Sequence, residues 1–172
     1  LNKRFFTFHQ KKRPYVVLKW AESQDGFIDE IRSGGKARKI SGELTNQLVH
    51  RWRSQEQAIL VGGETARLDS PRLNVRSVKG PDPERFVWAS SDLPEENKLS
   101  ESGYKRLTAD SSGEVLAQLY ERGVQSILIE GGTRVHQQFI DSGNFDEIRR
   151  VIGGSVIGAG IAAPSLALPM FE

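Results

Sequence analysis

The sequence predicts an α/β fold built on a largely parallel sheet, and three observations carry that expectation. Short, continuously apolar runs occur at "AILVGG" and "VQSILIEGG", the kind of strand buried on both faces of such a sheet. Segments whose apolar residues recur at helical spacing alternate with these runs along the chain. Both apolar runs also close on a glycine pair, where a strand gives way to a turn.

The elements follow in order. Pro14 precedes a group of β-formers in "RPYVVLKWA", which gives a strand over residues 15–20. "ESQDGFID" reads as a turn punctuated by Asp25-Gly26, and "RSGGKARK" as a basic, glycine-rich loop. Ser41 is placed to cap a helix over residues 42–55, with Leu44, Leu48, Val49 and Trp52 as its apolar stripe. "AILVGG" is the next strand, and "ETARLDSPRLNVR" reads as a polar loop behind it. Residues 77–83 continue as loop, and "RFVWASS" at 85–91 returns to strand. Between 92 and 110 the pattern supports at most a short strand near 104–107. "GEVLAQLYERG" is a helix with Val115, Leu116, Leu119 and Tyr120 turned inward and Gly123 as its terminator. After the strand "VQSILIEGG", "TRVHQQFIDSG" is a helix capped by Thr133, stopped at Gly143 and packed through Val135, Phe139 and Ile140. "FDEIRRVIGGSVIG" opens the last strand. No internal repeat or low-complexity segment interrupts the series.

Composition narrows the function. At 172 residues the chain makes one domain, large enough to bury a core without disulfides or metals. A hydrophobic share of 37% with 27% charged residues is ordinary for a globular protein, which argues against disorder. A net charge of +2 is too mild to argue for nucleic acid, and no Lys/Arg block with interleaved aromatics supports one. No apolar run approaches the length of a membrane span, and "LNKRFFTFHQKKRPY" lacks a signal-peptide pattern. The absence of cysteine excludes disulfides, thiolate nucleophiles and Cys-ligated metals. These features point to a cytoplasmic, redox-independent protein, and Leu1 in place of Met points to a piece of a longer polypeptide.

Chemistry is expected at the two strand-to-glycine junctions, because ligands of open α/β sheets sit outside the carboxyl ends of the strands. In "ILIEGGTRVHQQF", Gly131-Gly132 let the backbone approach a ligand, and the helix beginning at Thr133 offers unpaired N–H groups to an anion. It is neither a Walker sequence nor a Gly-x-Gly-x-x-Gly fingerprint, and a plain tight turn explains it about as well. Glu130 ends the strand, where a carboxylate faces the cleft. In "GGETARLDSPRLNVR", Asp69 could be an edge carboxylate and Arg76 a fork for phosphate, although charged loop residues are more often just solvated. Arg53 either complements a helix dipole or points inward to an anion. Lys19 interrupts the apolar run "VVLKWA", and an inward lysine needs a partner. His9, His50 and His136 are scattered without metal-ligand spacing and read as structural or surface residues, the latter two on polar or flanking helix faces.

Together "RPYVVLKWAESQDGFI", "ISGELTNQLVHRWRSQEQAILVGGETARLDSPRLNVR", "QSILIEGGTRVHQQFIDSGNFDEIR" and "IGAGIAAPSL" resemble the reductase domain of the bifunctional riboflavin-biosynthesis deaminase/reductase. The resemblance runs in order over nearly the whole chain. It implies a dihydrofolate-reductase-like fold, a mixed and mostly parallel sheet flanked by helices, usually as a homodimer. It implies NADPH-dependent reduction of 5-amino-6-(5-phosphoribosylamino)uracil to the ribitylamino product, with hydride delivered to ribose C1′ and no metal. On matching positions, Arg53, Leu73, Arg76 and Glu130 hold the substrate, and Lys19, Asp69 and Glu130 surround the reacting sugar. Ala21, Thr65, Asp69, Ser90 and the helix start at 132–138, with Gly132, Thr133, Arg134 and Val135 foremost, hold the dinucleotide.

Three departures qualify the match. "ARK" at Ala37, Arg38 and Lys39 stands where the family shows Ser-x-Trp, so one substrate contact and one cofactor-facing aromatic are replaced. The zinc deaminase half is absent, residues 1–12 look like the linker that follows it, and residues 13–172 form the reductase domain. The chain ends at "PSLALPMFE", short of the strands that close the family's sheet. Two other readings stay open: a same-fold reductase acting on another pterin or pyrimidine, and a nucleotide-binding module that has lost catalysis.

Overall fold

The apolar runs of the sequence become the middle of one sheet. The structure, a computed structural model, describes residues 2–32, 37–89 and 103–166. In chain order the elements are α1 (Lys3–Lys11), β1 (Tyr15–Glu22), β2 (Phe27–Asp29), α2 (Glu43–Arg53), β3 (Ala58–Gly62), α3 (Gly63–Asp69), β4 (Glu84–Trp88), β5 (Lys105–Leu107), α4 (Ser112–Glu121), β6 (Ser126–Ile129), α5 (Thr133–Asp141), β7 (Glu147–Ile152) and β8 (Ile161–Ala162). Six strands form a sheet in the order β5-β4-β3-β6-β1-β7, and every pairing within it is parallel. The short β2–β8 pair is antiparallel.

Alternation along the strands divides the core in two. Val16, Leu18 and Trp20 face one side together with Leu60, Phe86, Trp88, Ile127 and Ile129, and α4 and α5 cover them through Val115, Leu116, Leu119 and Phe139. Tyr15, Val17, Ile59, Val61, Val87 and Leu128 face the other side, beneath Ala66, Leu73, Tyr104 and Trp52. Each fully buried aliphatic residue in these layers stabilises the fold by roughly 1.5–3 kcal/mol. The same alternation puts Lys19, two residues past Val17, on the second face, so the fold aims it toward α2 and away from α5.

Several local expectations are corrected. Ser41 does not cap α2: Gly42 is the N-cap, with no side-chain cap bond, and the Ser41 hydroxyl is bonded to Asn46 Oδ1 instead. Thr133 likewise lies inside α5 with Gly132 as N-cap, and its hydroxyl donates to the Ala162 carbonyl at 2.5 Å, tying the helix to β8. Leu44 and Leu48 face solvent, and α2 is held through Val49 and Trp52. "GETARLD", read as loop, is α3. It is only seven residues long and buries little besides Ala66, so its helical periodicity is too brief to register. His50 and His136, read as structural or surface residues on polar or flanking faces, are both buried and so structural. Gly123 does terminate its helix, in the left-handed region at φ +74°.

The segment expected as a linker is a docked helix. Asn2 caps α1, Thr7 is buried, and Phe8 packs on Tyr120 with ring centroids 4.7 Å apart. Arg4 grips the fully buried Glu56 carboxylate through two bonds of 2.7 and 2.5 Å.

Candidate active site

The two glycine junctions meet at the carboxyl end of the sheet. A Cβ on Gly131 would lie 2.6 Å from Gly62 N and 3.0 Å from Val61 Cα, so only glycine lets the ends of β3 and β6 approach this closely. One junction also braces the other, since the Gly132 N–H donates to Thr65 Oγ1 at 3.2 Å. Neither α3 nor α5 carries a side-chain N-cap, which leaves the first turn of α5 open to an anion.

A cleft of about 680 Å³ opens over this meeting point. Its lining brings together Lys19, Ala21, Thr65, Asp69, Glu130 and residues 132–135. The lining also includes Ile28, Arg32 and Ile161, which the sequence had not marked, and Lys39 from the departing "ARK" segment. Arg134 stands at the rim with its side chain 92% exposed, 3.6 Å from Glu64. Ser90 lies outside the described residues.

A second cleft of about 800 Å³ holds Lys19, Lys39, Arg53 and Arg76, with Glu43 as its one carboxylate. Four cations against one anion make it a site for a phosphate or another multiply charged anion. Lys19 and Lys39 line both clefts, which therefore adjoin at these two side chains. Leu73 reaches neither. Its side chain is 2% exposed in the core, and its backbone sits in the left-handed region at φ +49°.

Arg53 and Glu130 link the two clefts. The guanidinium donates from Nε at 3.0 Å and from Nη2 at 2.7 Å to the two carboxylate oxygens, and from Nη1 to the Asn74 carbonyl. Both side chains are about a tenth exposed. Burial pushes the Glu130 carboxyl up, but Lys19 and Arg53 outweigh it and hold the group below the ordinary glutamate range. A fixed carboxylate thus lies between two cations at the floor of the cleft. Asp69 is more exposed and pairs with Arg32 at 3.0 Å, which also pairs with Asp29.

His50 secures the loop that carries Arg76: its Nδ1 accepts from the Arg76 backbone N–H at 3.2 Å. Burial, then Arg53 and Arg76, lower its pKa and keep it a neutral acceptor. His50 lies three residues before Arg53 and so shares its helix face, which was the available sign that it packs inward. Among the described residues no group of His, Cys, Asp and Glu could hold a metal ion, and no helix is long and apolar enough to cross a membrane.

Comparison with known proteins adds the kinship of this arrangement. The family of the RibD C-terminal domain matches residues 14–168. The riboflavin biosynthesis protein RibD of Bacillus amyloliquefaciens is 33% identical over 96% of the chain and 52% of its own length. A 2,5-diamino-6-ribosylamino-4(3H)-pyrimidinone 5′-phosphate reductase of Aquifex aeolicus is 28% identical, with 90% of the chain and 83% of that protein covered. Among solved structures, a diaminohydroxyphosphoribosylaminopyrimidine deaminase/5-amino-6-(5-phosphoribosylamino)uracil reductase from Thermotoga maritima superposes with a TM-score of 0.81 at 28% identity, over 93% of this chain and 50% of that one. The chain spans about half the length of the RibD relatives it matches. The parallel sheet with flanking helices is the dihydrofolate-reductase-like fold of those structures.

Proposed function

Because the chain belongs to the RibD C-terminal domain family, we propose that it is the reductase of riboflavin biosynthesis, converting 5-amino-6-(5-phosphoribosylamino)uracil to its ribitylamino product with NADPH. The observation that carries this reading is the adjoining of two clefts at Lys19 and Lys39, one open to the start of α5 and the other lined by cations.

In the first cleft the first turn of α5 would hold the diphosphate of the dinucleotide, and Thr65, Asp69 and Ala21 would shape the path toward Lys19. A reduced nicotinamide bound there supplies the hydride. In the second, Arg76, Lys39 and Arg53 hold the substrate phosphate, which brings C1′ of the sugar to the junction. Opening the ribose breaks the C1′–O4′ bond and needs a proton at O4′. Lys19, which lines both clefts, would give this proton, with Glu130 stabilising its charge. Hydride then adds to the C1′=N carbon. Asp69, at the open side of the cleft, orients the sugar hydroxyls. Leu73 contributes through its backbone. The length of the RibD relatives is consistent with a deaminase domain on the same polypeptide.

The test is consumption of reduced-nicotinamide absorbance when protein, NADPH and the phosphorylated substrate are mixed. Turnover is expected with the phosphorylated substrate and not with dihydrofolate. Activity with dihydrofolate alone, or NADPH binding with no turnover, contradicts the proposal.

A further inference from the structure

His136 is 1% exposed on α5, yet its ring touches backbone of β1 at Lys19 and of β6 just before Glu130. Nε2 lies 3.1 Å from the Lys19 carbonyl on β1 and 3.1 Å from the Ile129 carbonyl on β6. The ladder between these strands ends at the Leu18–Ile129 pair, so the imidazole spans them where strand pairing stops. Nδ1 is 3.2 Å from the Gly132 carbonyl, the N-cap of the same helix. That carbonyl already accepts from the N–H groups of Val135 and His136. It has no need of a third donor, whereas two carbonyls converge on Nε2. The proton therefore sits on Nε2, shared between Lys19 O and Ile129 O.

We propose that His136 is a positioning residue, a neutral Nε2–H donor that fixes the β1 backbone at Lys19 to the end of β6 just before Glu130, and so sets the separation of the two groups that flank the reacting carbon. The roles of Lys19 and Glu130 come from the function proposed above. The edge of Trp20, 5.4 Å away between ring centroids, holds the imidazole plane. Burial keeps the ring neutral despite the three carbonyls, and the charged groups acting on it, Lys19 and Glu130, are of opposite sign. Unlike the shorter α3, α5 thus reaches beneath the sheet and holds the site from behind.

Two arms test the proposal. Long-range ¹⁵N–¹H correlation spectra of the labelled protein should show His136 as the Nε2–H tautomer, unchanged between about pH 6 and 8, the range in which a free histidine titrates. A Nδ1–H tautomer, or ordinary titration, overturns the proposal whatever the enzyme does. In steady-state assays His136→Phe should lower kcat by about tenfold or more, with KM for both ligands within about threefold, since a small misplacement of reacting groups acts on the rate rather than on binding. His136→Gln, whose amide donates to the same carbonyls, should recover most of that loss. A folded His136→Phe protein with wild-type kcat overturns the proposal, as does a folded His136→Gln protein no better than His136→Phe. If the wild-type protein turns nothing over, the proposed function fails, and the spectra still decide the tautomer.

Discussion

Two junctions in this molecule share one plan and differ in depth. At each, a buried strand runs into Gly-Gly and a helix starts on the second glycine or just after it, with glycine as the N-cap. The β3–α3 junction is shallow. Its helix has seven residues, ends in a left-handed Ser70, and presents Glu64, Leu68 and Asp69 to the cleft mouth. The β6–α5 junction is deep. It buries Glu130 against Arg53 and sends His136 and Phe139 under the sheet. The shallow junction gives an exposed wall, and the deep one gives a buried floor. Substitutions should separate the two: changes to the packed groups of the floor cost stability and activity together, and changes to the exposed side chains of the wall cost activity with little stability.

The largest effect is expected from Glu130→Ala, which strands the largely buried Arg53 guanidinium. Chemical denaturation should show a loss of about 3–5 kcal/mol. Gly131→Ala comes next. Its new methyl meets backbone on both β3 residues at the contact, neither of which can swing away, so a loss of about 3 kcal/mol is expected along with weakened NADPH binding. Gly132→Ala is its control: the nearest atom to the added methyl is Thr65 Oγ1 at an ordinary 3.4 Å, and stability should stay close to wild type. Thr65→Val removes the hydrogen bond that the Gly132 N–H donates across the junctions and should cost about 1 kcal/mol, with a matching rise in the NADPH dissociation constant.

Acid should act first on the two buried histidines, of which His136 belongs to the deep junction. His50 and His136 have lowered pKa values in the folded protein, so they take up protons on unfolding. Their contribution is complete above the unfolded value of about 6.5 and is lost as pH falls through it. Glu130, also lowered, contributes above the unfolded value of about 4.3, and that contribution is lost at still lower pH. Thermal midpoints measured from neutral to acid pH should therefore decline beginning just below neutrality, and His136→Gln should flatten the first part of the decline. Asp69→Asn gives the smallest stability change, within about 0.5 kcal/mol, because the carboxylate is a partly exposed member of the Arg32 cluster. Its NADPH oxidation should nevertheless fall sharply.

How much of this could be read from the sequence depended on where each signal lay. Continuous apolar runs and glycine pairs marked β3 and β6, and the intrusion of Lys19 into "VVLKWA" marked a residue that the fold does aim at both clefts. α3 was hidden because seven residues with one buried side chain show no period. The histidines were left open between structural and surface residues, although His136 lies three and four residues before Phe139 and Ile140 and so falls on their buried face. Leu44 and Leu48 are the converse, apolar residues left in solvent. The caps failed at Ser41 and Thr133 because glycine holds both N-cap positions and the hydroxyls bond elsewhere. Leu73 illustrates a limit of residue type itself, since an apolar side chain in the core leaves only the main chain for a ligand.

The central claim is that the two clefts deliver cofactor and phosphorylated sugar to one point beside Lys19. Turnover with NADPH deuterated at the transferable C4 position of the nicotinamide tests it most directly. Mass spectrometry and NMR of the product should place one carbon-bound deuterium at C1′ of the ribityl chain. Product without deuterium at C1′, or product formed without NADPH, would contradict the account.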